Sequence, residues 1–412
     1  MARAGLMAGS PPISLEEAQA RLLALTTPLA IERVDIEGAL GRYLAEPIQA
    51  RRTQPATDLS AMDGYAVAQG DLTGPWRVVG ESAAGHPFAG EVSPGEAIRI
   101  STGAALCPGA HAVILQEDIA RNGDTISLSG TGPEPGHKHV RPCGMDFSQG
   151  ADVLPAGVRI GPAQSALAIA AGHAHLPVRR APRVVIIDSG DELADDPEAC
   201  APHQIPASNG AMLLAMVRSL PVEAVRIGPV GDTLAALAAA FARCEDADVI
   251  VTSGGASVGD HDLIRPALEA WGAKIDFWRV AIKPGKPILI ATRQARGRQQ
   301  IILGLPGNPA SSMITAFLFL LPLLRALLGA KKPLPFKVLT RLGAPLRPGG
   351  ARREFLRAAW DGEHVVAHSV QDSGAMASLA ASNAFIDRAV KAPASAKGEE
   401  VCIYLLENGG IA

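Results

Sequence analysis

Between residues 181 and 330, short, wholly apolar runs alternate with stretches of helical periodicity, and nothing else in the chain limits its folding as strongly. Val184-Val185-Ile186-Ile187 and Val249-Ile250-Val251 have no polar face. Strands of this kind must be covered on both sides, as in a parallel sheet layered between helices. The same reading predicts strands near Val222–Ile227, Lys274–Ile282, Ile288–Ile290 and Ile301–Leu303. Helices are predicted over Asn209–Ser219, Thr233–Arg243 and Asp262–Trp271, with a long one after Pro309. Strands alternating with helices predict a doubly wound α/β fold.

The remaining stretches differ in texture. Residues 11–50 open with Ser14 and Glu17 in a capping box, followed by Leu15, Ala18, Leu22 and Leu25 at helical spacing. Residues 51–147 are rich in glycine and proline around short apolar runs, and read as a small β domain. In 148–180 the segment Ala163–Gly172 is helix-like and is expected to pack back on 11–50, which makes the β domain an insertion. Residues 331–412 return to short strands, Glu354–Arg357, His364–Ala367 and Val401–Leu405, and read as a second small β domain.

Bulk properties exclude several classes. A net charge of −3 leaves no basic footprint, so nucleic acid is not an expected partner. The five cysteines are dispersed and form no Cys-x-x-Cys pair, which suits reduced thiols in a cytoplasmic protein. Met313–Leu324 is the most apolar stretch, but it falls short of the ~20 residues a bilayer span takes. It reads as a buried helix, and no membrane segment is expected.

In an open α/β sheet, ligands bind at the carboxyl ends of the strands. Asp188-Ser189-Gly190-Asp191-Glu192 follows a strand, and its adjacent carboxylates suit Mg²⁺, a hard cation that takes oxygen ligands. A helix start that favours acid explains the same residues. Ser253-Gly254-Gly255-Ala256-Ser257-Val258-Gly259 offers backbone N–H groups and hydroxyls to an anion, or is simply a tight turn. Lys283-Pro284-Gly285-Lys286-Pro287 carries two ammonium groups on a rigid turn. Pro306-Gly307-Asn308-Pro309 stiffens the last loop, and Asp232 reads as a helix N-cap. Outside this region, Ser60–Ala66 with Asp63, Ser101–Ala104 with Thr102, and Gly144–Asp146 are polar turns.

Taken together and in this order, these segments resemble the molybdopterin molybdenumtransferase family, which includes MoeA and the E domain of gephyrin-type proteins. The resemblance spans about residues 14–405 and rests on Met62–Tyr65, Ser253–Gly259, Lys283–Pro287 and Pro306–Pro309 occurring jointly. It implies an elongated homodimer with a molybdopterin-binding α/β domain, an inserted β domain and a C-terminal β-barrel-like domain. It also implies Mg²⁺-dependent insertion of molybdate into adenylylated molybdopterin, with release of AMP. Contacts with other molybdenum cofactor biosynthesis proteins are implied as well.

By position, the resemblance puts Asp191, Glu192 and Asp232 around the metal and the pyrophosphate. Lys283 and Lys286 hold phosphate or molybdate. Ser253, Gly254, Gly255 and Ser257, with Pro306 and Pro309, bind the nucleotide-like part. Asp63, Thr102 and Asp146 reach in from across the cleft, with the second protomer contributing. Arg352 and Ser373 match family positions in the last domain, although neighbouring Arg353 competes for the first role. The chain departs from the family pattern at Ala207, at Ala256 and at Gly231-Asp232-Thr233, where an Asp-Asp pair is common. Two rival functions remain at this point: a molybdopterin adenylyltransferase and a non-catalytic pterin-binding scaffold.

Overall fold

The computed structural model describes residues 11–70, 72–254 and 263–406. Its central sheet contains β1 (Arg183–Ser189), β2 (Glu223–Val230), β3 (Val249–Ser253), β4 (Lys274–Arg279), β5 (Pro287–Ala295) and β6 (Arg298–Leu305). They lie in the order β2-β1-β3-β6-β5-β4. The pairs β1–β2, β1–β3 and β3–β6 are parallel, and β5 runs antiparallel to both β6 and β4.

The pleat sends Val184 and Ile186 into one core, and Val185 and Ile187 into another on the opposite face. Helices α1 (Leu15–Ala24), α2 (Ser208–Val217) and α5 (Pro309–Leu327) contribute to the first core. Helices α3 (Leu234–Ala242) and α4 (Ile264–Ala270) contribute to the second. This is the doubly wound layering predicted from the apolar runs.

Helix α1 starts with half of the expected capping box: Ser14 Oγ accepts the Glu17 N–H at 3.1 Å, while the Glu17 carboxylate pairs with Arg21. Leu15, Ala18 and Leu22 join the sheet core beside α5, while the expected packing of 163–172 on residues 11–50 is made by Ala168, which shares a core with Ala39, Leu44 and Ile48. Helix α5 explains part of the attraction. Pro322 has no N–H to offer the Leu318 carbonyl, and the helix widens to a π turn over Ala316–Leu320. Gln19 Nε2 donates to Leu318 O at 2.9 Å and satisfies that carbonyl. Helix α5 is apolar and almost wholly buried, so it is a core helix.

Residues 31–49 and 152–179 pair with one another. Ile31–Asp35 runs antiparallel to His175–Arg179, and Ile48–Gln49 to Asp152–Leu154. Leu44, Ile48, Leu154, Ile160, Leu176 and Val178 form their shared core. The chain between them forms a curled six-stranded sheet with Gly64–Ala68 and Glu96–Ile100 near its centre.

The C-terminal region closes into a five-stranded barrel of Val338–Leu342, Arg353–Trp360, His364–Ala367, Ala384–Arg388 and Glu400–Leu405. Closure comes from Arg353–Trp360 pairing with both His364–Ala367 and Ala384–Arg388. Phe317 of α5 meets Phe385 and Tyr404 edge-on, at 5.9 and 5.6 Å between ring centres. The barrel and the sheet therefore share one core.

A buried ion pair fastens the other end of the sheet. Arg180 grips Asp248 at 2.8 and 2.7 Å, and the Arg183 N–H adds a third bond at 2.8 Å. Burial alone would raise the Asp248 carboxyl, but these bonds outweigh it and hold it below the usual carboxylate range. A depressed native value stabilises the fold above about pH 4, and that contribution fades as pH falls through it. Asp248→Asn is expected to cost about 2–3 kcal/mol at pH 7. Thermal melts of both proteins from pH 7 to pH 3 check this, with the gap between them shrinking below about pH 4.

Candidate active site at the strand ends

Parallel pairing aligns the carboxyl ends of β1, β3 and β6 on one edge of the sheet. The antiparallel strand β5 begins at that same edge, where Leu289 pairs with Gly304. The Lys283–Pro287 turn therefore reaches the edge by entering a strand, whereas the other loops reach it by leaving one.

These loops touch. The Gly254 N–H donates to Leu305 O at 3.1 Å. Gly254 has φ +100°, a conformation that favours glycine, and a Cβ there would stand a tight 3.3 Å from Ser189 O. A Cβ on Gly307 would lie 3.8 Å from Gly254 Cα. Asn209, at the start of α2, donates from Nδ2 to Gly307 O at 2.6 Å. Its Oδ1 is buried and unpaired among the described residues.

The acidic turn is held just as closely. The Asp232 N–H donates to Asp191 Oδ1 at 3.0 Å, and the Asp191 N–H donates to Asp232 Oδ2 at 3.4 Å. The predicted N-cap role of Asp232 is corrected here. Thr233 caps α3, accepting the Ala236 N–H at 3.1 Å, which leaves the Asp232 carboxylate to Asp191. Glu192 folds back over Gly190, where an added Cβ would meet its Oε2 at 2.5 Å.

Among the described residues, no three acid, histidine or thiol side chains assemble into a metal cage. The predicted triad is thus a joined carboxylate pair with Glu192 beside it. Two carboxylates suit Mg²⁺, which keeps several waters and takes substrate phosphates as further ligands.

The barrel completes the lysine turn. Ile282-Lys283 pairs with Arg353-Glu354, and Lys283 Nζ lies 2.9 Å from Glu354 Oε1. Arg352 Nη1 donates to Ile282 O at 3.2 Å. Gly285, at φ +97°, lets the turn lie against Thr315 of α5. Among the described residues, no hydrogen bond or ion pair occupies the Lys286 ammonium. Pro309 opens α5, and its neighbour Ala310 donates its N–H to Ser373 O at 3.0 Å.

Arg353 is already committed. It grips Asp387 with two bonds of 2.6 Å and also pairs with Glu16 of α1. The two arginines are thereby told apart: Arg352 faces the lysine turn and Arg353 is structural.

In the curled sheet, Asp63 Oδ1 accepts both the backbone N–H of Thr102, at 2.6 Å, and its hydroxyl, at 3.0 Å. Those bonds hold the Asp63 carboxyl below the usual range. Asp146 sits in the neighbouring loop, its N–H donating to Gln54 O at 3.1 Å. Among the described residues, no hydrogen bond or ion pair joins this group to the α/β loops of the same chain. Gly255 and Ser257 lie outside the described residues.

Comparison with known proteins identifies this arrangement. Residues 13–172 match the MoeA N-terminal region, 185–326 a probable molybdopterin binding domain, and 340–406 the MoeA C-terminal region. A molybdopterin molybdenumtransferase of Nostoc sp. is 35% identical over 370 residues, 86% of this chain and 84% of its own. The chain belongs to the molybdopterin molybdenumtransferase family. A relative of that name from Haemophilus influenzae is 34% identical, over 84% of this chain and 85% of its own. The crystal structure of the molybdopterin biosynthesis MoeA protein from Pyrococcus horikosii superposes with a TM-score of 0.78 at 30% identity. It covers 97% of this chain and 100% of that one.

Family motifs pointed to most of the residues above, but not to Asn209 as a brace, to Glu354, or to the ion pair of Arg226 on β2 with the buried Asp188, 2.7 Å apart. Each acts through a partner far away in sequence, which no local spacing reveals. The division between the two arginines is testable. Arg353→Met is expected to destabilise the fold by about 2–3 kcal/mol, because it removes two bonds to the buried Asp387, leaving it only Lys337 at 3.0 Å, and takes the partner from Glu16. Arg352→Met is expected to leave the denaturation midpoint nearly unchanged. Urea unfolding of the two variants checks the contrast.

Proposed function

We propose that the chain, a transferase of molybdenum cofactor biosynthesis by family, inserts molybdate into adenylylated molybdopterin and releases AMP in a Mg²⁺-dependent step. The observation that carries this reading is the meeting, at one sheet edge, of a carboxylate pair, a glycine-shaped strand end and a lysine whose ammonium has no partner among the described residues. That is the equipment a pyrophosphate linkage needs.

Cleaving a phosphoanhydride depends on positioning and charge neutralisation. Mg²⁺, when bound, would offset the pyrophosphate charge. Asp191 and Asp232 would hold it, with Glu192 nearby. Ser253 and Gly254 would cradle the nucleotide phosphate. Lys286, Arg352 and Ser373 would receive the oxyanion, and Lys283 would join them from its pairing with Glu354. A water oxygen bonds to phosphorus as the P–O–P bond breaks, so that AMP leaves and the pterin keeps its own phosphate; the two dithiolene thiols then bond to molybdenum as one molybdate oxygen departs with their protons as water.

Asp63 and Thr102 lie at strand ends of the curled sheet and Asp146 in the loop beside it; in this reading they would reach the site from the partner protomer of a cytoplasmic homodimer. Other cofactor-biosynthesis proteins would deliver the pterin.

The experiment combines purified protein with adenylylated molybdopterin, Mg²⁺ and molybdate, and follows AMP release. Asp63→Asn and Glu192→Gln are each expected to lower the rate about 100-fold, with melting curves unchanged. Near-normal rates in both would reject the cleft. Efficient adenylylation of molybdopterin from ATP would replace the reading with the adenylyltransferase one.

A further inference from the structure

Strand β1 is apolar from Val184 to Ile187 and then carries a carboxylate, Asp188, that is only 1% exposed. Arg226 of β2 donates from Nε to Asp188 Oδ2 at 2.7 Å and from Nη2 to Ala207 O at 3.2 Å. Burial pushes the Asp188 carboxyl up, while Arg226 and the Gly210 backbone bond pull it the other way.

The surroundings are shaped around this carboxylate. A Cβ at Gly210 would stand 2.0 Å from Asp188 Oδ2. A Cβ at Gly228, at φ +125°, would stand 2.4 Å from Asp188 O. The register between the strands slips here. Ile187 faces Ile227, but Ser189 faces Val230, so β2 carries one extra residue opposite Asp188. A bulge of this kind re-aims the strand end beyond it.

Three site loops therefore meet at one ion pair. Asp188 leads directly into the turn bearing Asp191. Arg226 leads through the bulge to Asp232. Ala207 and Gly210 flank Asn209, which holds Gly307. A well-packed apolar pair would join two strands at least as stably as a buried ion pair. Stability alone thus gives no reason for charges at this point, whereas fixed geometry does.

We propose that Asp188 and Arg226 are positioning residues that set the spacing of the Asp191–Asp232 carboxylate pair for a divalent cation. The inference rests on the reading that this carboxylate pair takes the cation. Neither residue touches substrate; each acts through the strand end that it fixes.

The test titrates Mn²⁺, as the probe ion, into the full-length protein by electron paramagnetic resonance, and measures AMP release against Mg²⁺ and molybdate. Asp188→Asn and Arg226→Met are expected to weaken Mn²⁺ binding about tenfold and to raise the Mg²⁺ half-saturation equally, with the molybdate KM unchanged. Arg226→Lys is expected to recover most of the affinity. Should Asp188→Asn fail to fold, Asp188→Asn combined with Arg226→Gln keeps a neutral hydrogen bond and carries the same expectation.

Asp191→Asn is the reference and weakens Mn²⁺ binding in its own right. If it does so while the Asp188 and Arg226 variants lower only thermal stability, the pair is merely structural and the inference is overturned. If Asp191→Asn also leaves Mn²⁺ affinity unchanged, the cation reading falls, and the inference falls with it.

Discussion

Burying both faces of a parallel sheet determines where this protein can do chemistry. Val184–Ile187 and Val249–Val251 have no side open to solvent, so polar function is pushed to the strand ends. Parallel pairing then puts the ends of β1, β3 and β6 side by side. Residues far apart in sequence become neighbours for that reason, and Asp191 bonds Asp232 while Gly254 bonds Leu305. The glycines at 210 and 228 let backbone and carboxylate approach more closely than a Cβ would allow.

The C-terminal barrel is part of the same construction. Phe317 of α5 packs between Phe385 and Tyr404, and Arg353 ties the barrel to α1 through Glu16. With that core fixed, Arg352 and Glu354 meet the lysine turn, and the Ser373 carbonyl meets the first turn of α5. A lysine turn without the barrel would lose both its strand partner and its countercharge.

Much of this was legible in the sequence because it is local. The apolar runs announced the covered strands, Ser14 announced its helix, and Met313–Leu324 announced a buried one. Where partners decide, local reading went astray. Asp232 looked like an N-cap because it precedes a helix, yet Thr233 has the extended backbone and the hydroxyl in place. Nothing local to α1 showed that Gln19 would meet the carbonyl that Pro322 leaves open. Asp188 passed for a loop residue because its partner, Arg226, sits on another strand. Arg352 and Arg353 could not be separated until the barrel showed which of them Asp387 holds.

The central claim is that the loops along this edge form one pocket for a pyrophosphate and an oxyanion. A crystal structure of the protein soaked with Mg²⁺, AMP and molybdate tests it most directly. The account predicts the AMP phosphate within hydrogen-bonding distance of Ser253 or Gly254, and the oxyanion beside Lys286 and Arg352. AMP or molybdate bound on a different surface, with Lys286 and the Asp191–Asp232 pair left uncontacted, would contradict it.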